Sequence, residues 1–163
     1  MSIPTEVMPV LEQVRETLPG KSVPLAFWQV DSGKIILDGF MDLAARLKMA
    51  DIEIEALPRG YKIVAVLFGW ESECQSEGWG AFENTSEDEF EELCQLYAEV
   101  GLEQEAVSLR EQMSSFEADP EDIEALVAAA ERTRHEYSGD LDRLEHVTQY
   151  LCDNAAILLG AHA

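Results

Sequence analysis

Residues 72–101 read SECQSEGWGAFENTSEDEFEELCQLYAEVG. The stretch carries nine Glu and Asp and no Lys, Arg or His, yet it also holds Trp79, Phe82, Phe90 and Tyr97. Its spacing resolves the conflict. Phe90, Leu93, Cys94, Tyr97 and Val100 recur at i, i+3, i+4, i+7 and i+10, which is one face of an α-helix. Glu87, Asp88, Glu91, Glu92, Gln95 and Glu99 fall on the opposite face. Ser86 with Glu89 three residues on reads as a capping box, and Gly101 stands where a glycine commonly ends a helix. Gly78-Trp79-Gly80 breaks the chain before it. The aromatics therefore belong to a core and the carboxylates to solvent. Acids in the first turn suit the helix dipole. The pairs Glu87–Glu91 and Asp88–Glu92 do not suit the helix, and each repulsion costs about 0.2–0.5 kcal/mol.

Helical period recurs outward from this segment. Residues 4–18 place Val7, Val10, Leu11 and Val14 on one face, and Pro19-Gly20 ends the run. Residues 21–37 are open between short helix and strand, with Ser32-Gly33 read as a turn. Residues 38–49 align Phe40, Leu43, Ala44 and Leu47. Residues 61–76 align Ile63, Val66, Leu67, Trp70 and Cys74, a stripe that Val64 and Phe68 widen. Residues 102–116 turn Ala106, Leu109 and Met113 inward. Asp119-Pro120 reads as an N-cap and first-turn proline for a helix over 120–135, with Ile123, Leu126, Val127 and Ala130 inward. Residues 141–159 turn Leu144, Val147, Leu151, Ala155 and Leu158 inward. The expectation is an all-α protein of six to eight helices in a single domain, 1–163.

The formal charge of the 163 residues is −22 and the isoelectric point is near 4.2. Residues 1–62 hold nine acids and seven bases, whereas residues 63–163 hold 24 acids and four bases. Acidity concentrated in one part of the chain points to an interaction surface. It argues against direct binding to nucleic acid or an anionic membrane. Cys74, Cys94 and Cys152 are odd in number and far apart, which suggests reduced thiols in a cytoplasmic protein. The N-terminus lacks a signal-peptide pattern, and the longest apolar run, IVAVLF at 63–68, is too short to span a membrane.

Familiar catalytic motifs are absent: the sequence has no P-loop, GxGxxG, HExxH or GxSxG. The histidines are His135, His146 and His162. Glu131 with His135 and Asp142 with His146 have the i, i+4 spacing of two metal ligands or of a surface ion pair, and the ion pair is the commoner outcome. Cys94 shares its stripe with Leu93 and Tyr97 and reads as core rather than nucleophile. No enzyme, cofactor or metal is expected.

Residues 57–109, LPRGYKIVAVLFGWESECQSEGWGAFENTSEDEFEELCQLYAEVGLEQEAVSL, resemble an all-helical bacterial family of domains of unknown function. The best-understood branch of that family is the dimeric DNA-mimic proteins. Glu71 and Glu73 near a helix end, the turn at Gly78-Trp79-Gly80, then Phe82 and Asn84, and the helix ending at Glu99-Val100-Gly101 carry the resemblance. It implies an all-helical fold, a mimic of DNA and a homodimer.

Mimicry has a physical form. Duplex DNA carries one negative charge per about 1.7 Å of axis, and carboxylates four apart on a helix stand about 6 Å apart along it. Glu83, Glu87, Asp88, Glu91 and Glu92 form one candidate row; Glu117, Asp119, Glu121, Asp122 and Glu124 form another. The first expectation is a non-enzymatic decoy for a basic, DNA-binding protein. Two alternatives use the same charge: an immunity or antitoxin protein that neutralises a basic toxin, and an acidic domain with no charged partner.

Overall fold

The structure, a computed structural model, describes residues 2–20 and 22–160; His162 lies outside them. It is all-helical, with no strand among the described residues. Helices α1 (Met8–Thr17), α2 (Gly33–Met49), α3 (Arg59–Ile63), α4 (Gly69–Glu77), α5 (Gly80–Glu83), α6 (Glu87–Glu99), α7 (Glu103–Ala118), α8 (Ile123–Arg132), α9 (Asp140–Asp153) and α10 (Ala155–Leu158) follow one another. They fall into two compact units. One comprises the residues up to Ser72 together with those from Leu144 onward; the other is Glu73–Arg143. Among the described residues, no helix is long and apolar enough to cross a membrane.

The first unit is built on aromatic packing around α2. This helix begins at Gly33, five residues before the expected 38, because Ser32 is its N-cap and accepts the Ile35 N–H. The turn read at Ser32-Gly33 is therefore a helix start, and the open run KIIL lies in its first turn. The segment before it forms a 3₁₀ turn at Phe27–Gln29. The Phe27 ring meets Phe40 edge-on at 5.0 Å. A Cβ on Gly39 would stand 2.5 Å from that Phe27 ring, so only glycine lets α2 come this close.

Between α3 and α4 the chain makes one π-turn, Val64–Phe68. A wider turn shifts the inward stripe. Ile63, Val64, Leu67, Phe68 and Trp70 are buried, while Val66 and Cys74, expected inward, are only half-buried.

In the second unit α6 packs on α7 and α7 on α8. The expected face of α6, Phe90, Leu93, Cys94, Tyr97 and Val100, is buried throughout, and Leu96 joins it. The capping box forms: Ser86 Oγ accepts the Glu89 N–H, and a Glu89 carboxylate oxygen accepts the Ser86 N–H at 2.9 Å. At the other end Gly101 takes φ +85°. There the Leu102 N–H donates to Tyr97 O at 2.8 Å and the Gly101 N–H to Ala98 O at 3.1 Å. This is a Schellman ending, with buried Leu102 as its apolar contact.

The start of α8 differs from the expectation. Asp122, not Asp119, is its N-cap and accepts the Ala125 N–H at 3.0 Å. Asp119 instead closes a short turn by accepting the Glu121 N–H. With the register set from Asp122, Leu126 and Ala129 face inward, and Ile123 and Val127 are 51% and 48% exposed. The helix ends at Arg132, so His135 lies beyond it and the Glu131–His135 pairing does not form. Farther on, Asn154 separates α9 from α10, where one continuous helix was expected.

Candidate functional site

Two acidic runs on the second unit set out from one aromatic stack. The rings of Phe82 and Phe116 lie 5.7 Å apart and nearly parallel, and Trp79 and Phe90 pack on Phe82 at 5.8 and 6.1 Å. Glu83 follows Phe82 directly, and Glu117 follows Phe116. The first run continues along α6 through Glu87, Asp88, Glu91 and Glu92. The second rounds the corner from α7 to α8 through Asp119, Glu121, Asp122 and Glu124. All ten candidate residues thus lie on this unit, nine exposed and Glu92 half-buried. Both runs meet at the stack because α6 and α7 form a hairpin that brings the start of one beside the end of the other.

Local electrostatics divides these carboxylates. Asp119 and Asp122 hold backbone N–H groups and are partly structural. Glu91 is not the bare charge the sequence suggested: Arg110 of α7 donates to both its oxygens at 3.1 and 3.2 Å, and Gln95 donates at 3.2 Å. The Gln95 bond, with help from Arg110, holds the Glu91 carboxyl below the usual range. Glu117 stands in the last turn of α7, where the helix dipole disfavours an anion.

Residues 73–143 contain 21 Asp and Glu against four Arg. Each arginine meets a glutamate: Arg110 with Glu91, Arg132 with Glu111, Arg134 with Glu131 and Arg143 with Glu105. The unit's cations are thus engaged within it, and its surface carries a large surplus of carboxylates.

One of these pairs is buried and escaped the sequence reading. Glu105 on α7 and His135 are both at least nine-tenths buried. A Glu105 oxygen lies 2.8 Å from His135 Nε2 and 3.6 Å from an Arg143 nitrogen. The Tyr137 N–H donates to His135 Nδ1, so Nε2 carries the ring hydrogen and donates to Glu105. Arg143 also donates to the carbonyls of Tyr137 and Ser138. Together they pin the 133–139 loop between α8 and α9. The cluster is a structural tie: among the described residues no group of three or more His, Cys, Asp or Glu is placed to hold a metal ion.

Cys94 is fully buried, and burial pushes its thiol up to about 11. A thiol held neutral in the core is a poor nucleophile. Cys94 should therefore resist a thiol reagent in the native protein and react readily in denaturant; fast native labelling would show that the α6 face opens to solvent.

These features define an acidic, all-helical protein whose charge is gathered on one unit. The family model described as DMP19-like protein matches residues 55–162, and the chain belongs to that family. The match takes in the whole acidic unit and the last helices and bears out the resemblance seen at 57–109. Comparison with curated proteins and with solved structures gave no match.

Proposed function

We propose that the protein is a non-enzymatic DNA mimic that binds a basic, DNA-binding protein through the two acidic runs of its second unit. The observation that carries this reading is their common origin at the Phe82–Phe116 stack, from which the runs Glu83–Glu92 and Glu117–Glu124 both set out. Membership in the DMP19-like family supports it. So does the cost of the arrangement: like charges four apart on α6 and an acid in the last turn of α7 each lower helix stability. Two runs of carboxylates, one at helical spacing along α6 and one around the corner from α7 to α8, offer a basic groove the closely spaced negative charge that a phosphate backbone offers. Association is then fast and sensitive to salt, because exposed charges are screened over about 8–10 Å at ordinary ionic strength.

Replacement of Glu87, Glu91 and Glu92 by Gln and of Asp88 by Asn tests the first run. Stability should stay within about 1 kcal/mol, because relief of repulsion offsets the loss of the exposed Glu91–Arg110 pair and of the dipole term. Affinity for the partner should fall, and its dependence on salt should flatten. Unchanged affinity and slope would remove residues 87–92 from the interface.

A further inference from the structure

Helix α8 keeps branched apolar side chains in water. Ile123 and Val127 are about half exposed. Half-buried Ala130 continues their line, so the three stand at i, i+4 and i+7 and make one stripe on the helix surface. The helix packs inward through other residues, Leu126 and Ala129, which are fully buried. Single exposed apolar residues are ordinary, but this stripe runs along most of a ten-residue helix. Ile and Val are also poor choices for an exposed helical position. Their branched Cβ loses rotamer freedom there, and Ala, Glu or Lys would favour the helix more.

Acids border the stripe. Glu124 lies three residues before Val127 and Glu131 four after it, and both are exposed. From Glu117 through Glu131 the chain has six acids and no Lys, Arg or His. Beyond them Arg134 meets Glu131 at 3.8 Å, with both side chains largely exposed, and Arg132 turns to Glu111. This combination restricts what can cover the stripe. A second copy of the chain would set the same acids against these. An extended strand would need a free sheet edge, and a helix has none, because its backbone groups are bonded along its own axis. The element that fits is another helix, with an apolar ridge to lie along Ile123 and Val127 and with Lys or Arg on its flanks.

We propose that the exposed face of α8 docks a basic amphipathic helix of the partner protein. The partner's apolar ridge covers Ile123 and Val127, and its Lys and Arg meet Glu121, Glu124 and Glu131. The proposal rests on the reading of this unit as the docking face for a basic protein. It adds a contact that a phosphate backbone does not reproduce, since burial of apolar surface is neither offered by phosphates nor screened by salt.

The probe is a short synthetic helical peptide with Leu at i, i+3, i+4 and i+7 and Lys elsewhere. Its control has Ala in place of each Leu, which keeps the charge and the helix. Both are titrated calorimetrically into the whole protein at low and at raised salt. Both should bind at low salt, the Leu peptide about tenfold more tightly or better. Raised salt should weaken both and leave that margin in place. The double variant Ile123→Ala, Val127→Ala should lose the margin, yet bind the Ala peptide as before and keep its thermal midpoint. Equal binding of the two peptides, or a margin that survives in the double variant, would overturn the proposal and leave the acidic docking face intact. Failure of both peptides to bind at low salt would overturn the two together. Self-association in sedimentation that the double variant abolishes would assign the stripe to a second copy and likewise overturn the proposal.

Discussion

Phe90→Ala is expected to lower the unfolding free energy by about 3–5 kcal/mol, the range for truncating a buried phenylalanine. Phe90 is 8% exposed, lies on the inner face of α6 and packs on Phe82, which also meets Trp79 and Phe116. Removal of the ring opens a cavity in a stack that four aromatics share and that α5, α6 and α7 all enter. The helix itself would survive, since its capping box and glycine ending are untouched. Urea denaturation of the variant measures the loss directly; a value below about 1 kcal/mol would mean that the stack is loosely packed and that α6 is held by something else.

Glu105→Ala should have a comparable effect for a different reason. The buried carboxylate receives His135 Nε2–H at 2.8 Å and lies 3.6 Å from the Arg143 guanidinium. Truncation takes the carboxylate away from the largely buried Arg143 and from His135 Nε2–H, and breaking one side of such a pair costs about 3–5 kcal/mol. An exposed pair such as Arg132–Glu111 is the internal control, because Glu111→Ala should cost no more than about 1 kcal/mol. Equal, small losses at both sites would show that the Glu105 cluster is solvated and does not pin the 133–139 loop.

Local signals in the sequence read well, and distant ones did not. The bounds of α6 followed from Ser86, Glu89 and Gly101 because caps act within one turn. At α2 and α8 the cap was misplaced. Ser32-Gly33 has the chemistry of a turn as well as of a helix start, and the helix there is favoured by the packing of Phe27 on Gly39. Asp119-Pro120 and Asp122 both offer a cap, and the choice of Asp122 moved Ile123 and Val127 to the surface. The π-turn at 64–68 has no signature in spacing alone.

The acidic run on α6 was legible as a charged face, but its engagement by Arg110, nineteen residues from Glu91, was not. The buried cluster did leave a trace. Glu105 occupies the apolar stripe of α7, between Leu102 at i−3 and Leu109 at i+4, and a carboxylate at such a position needs a cation or a hydrogen-bond donor from elsewhere in the fold.

DNA competition is the most direct test of mimicry. A basic DNA-binding protein captured with this chain from its native host is to be bound to the immobilised protein at low salt and challenged with excess duplex DNA. If the acidic runs stand in for a phosphate backbone, DNA and this protein exclude each other on the partner: duplex should displace it, and raising the salt should weaken both complexes together. A partner that stays bound under saturating duplex, or that binds duplex and this protein at once, would contradict the account.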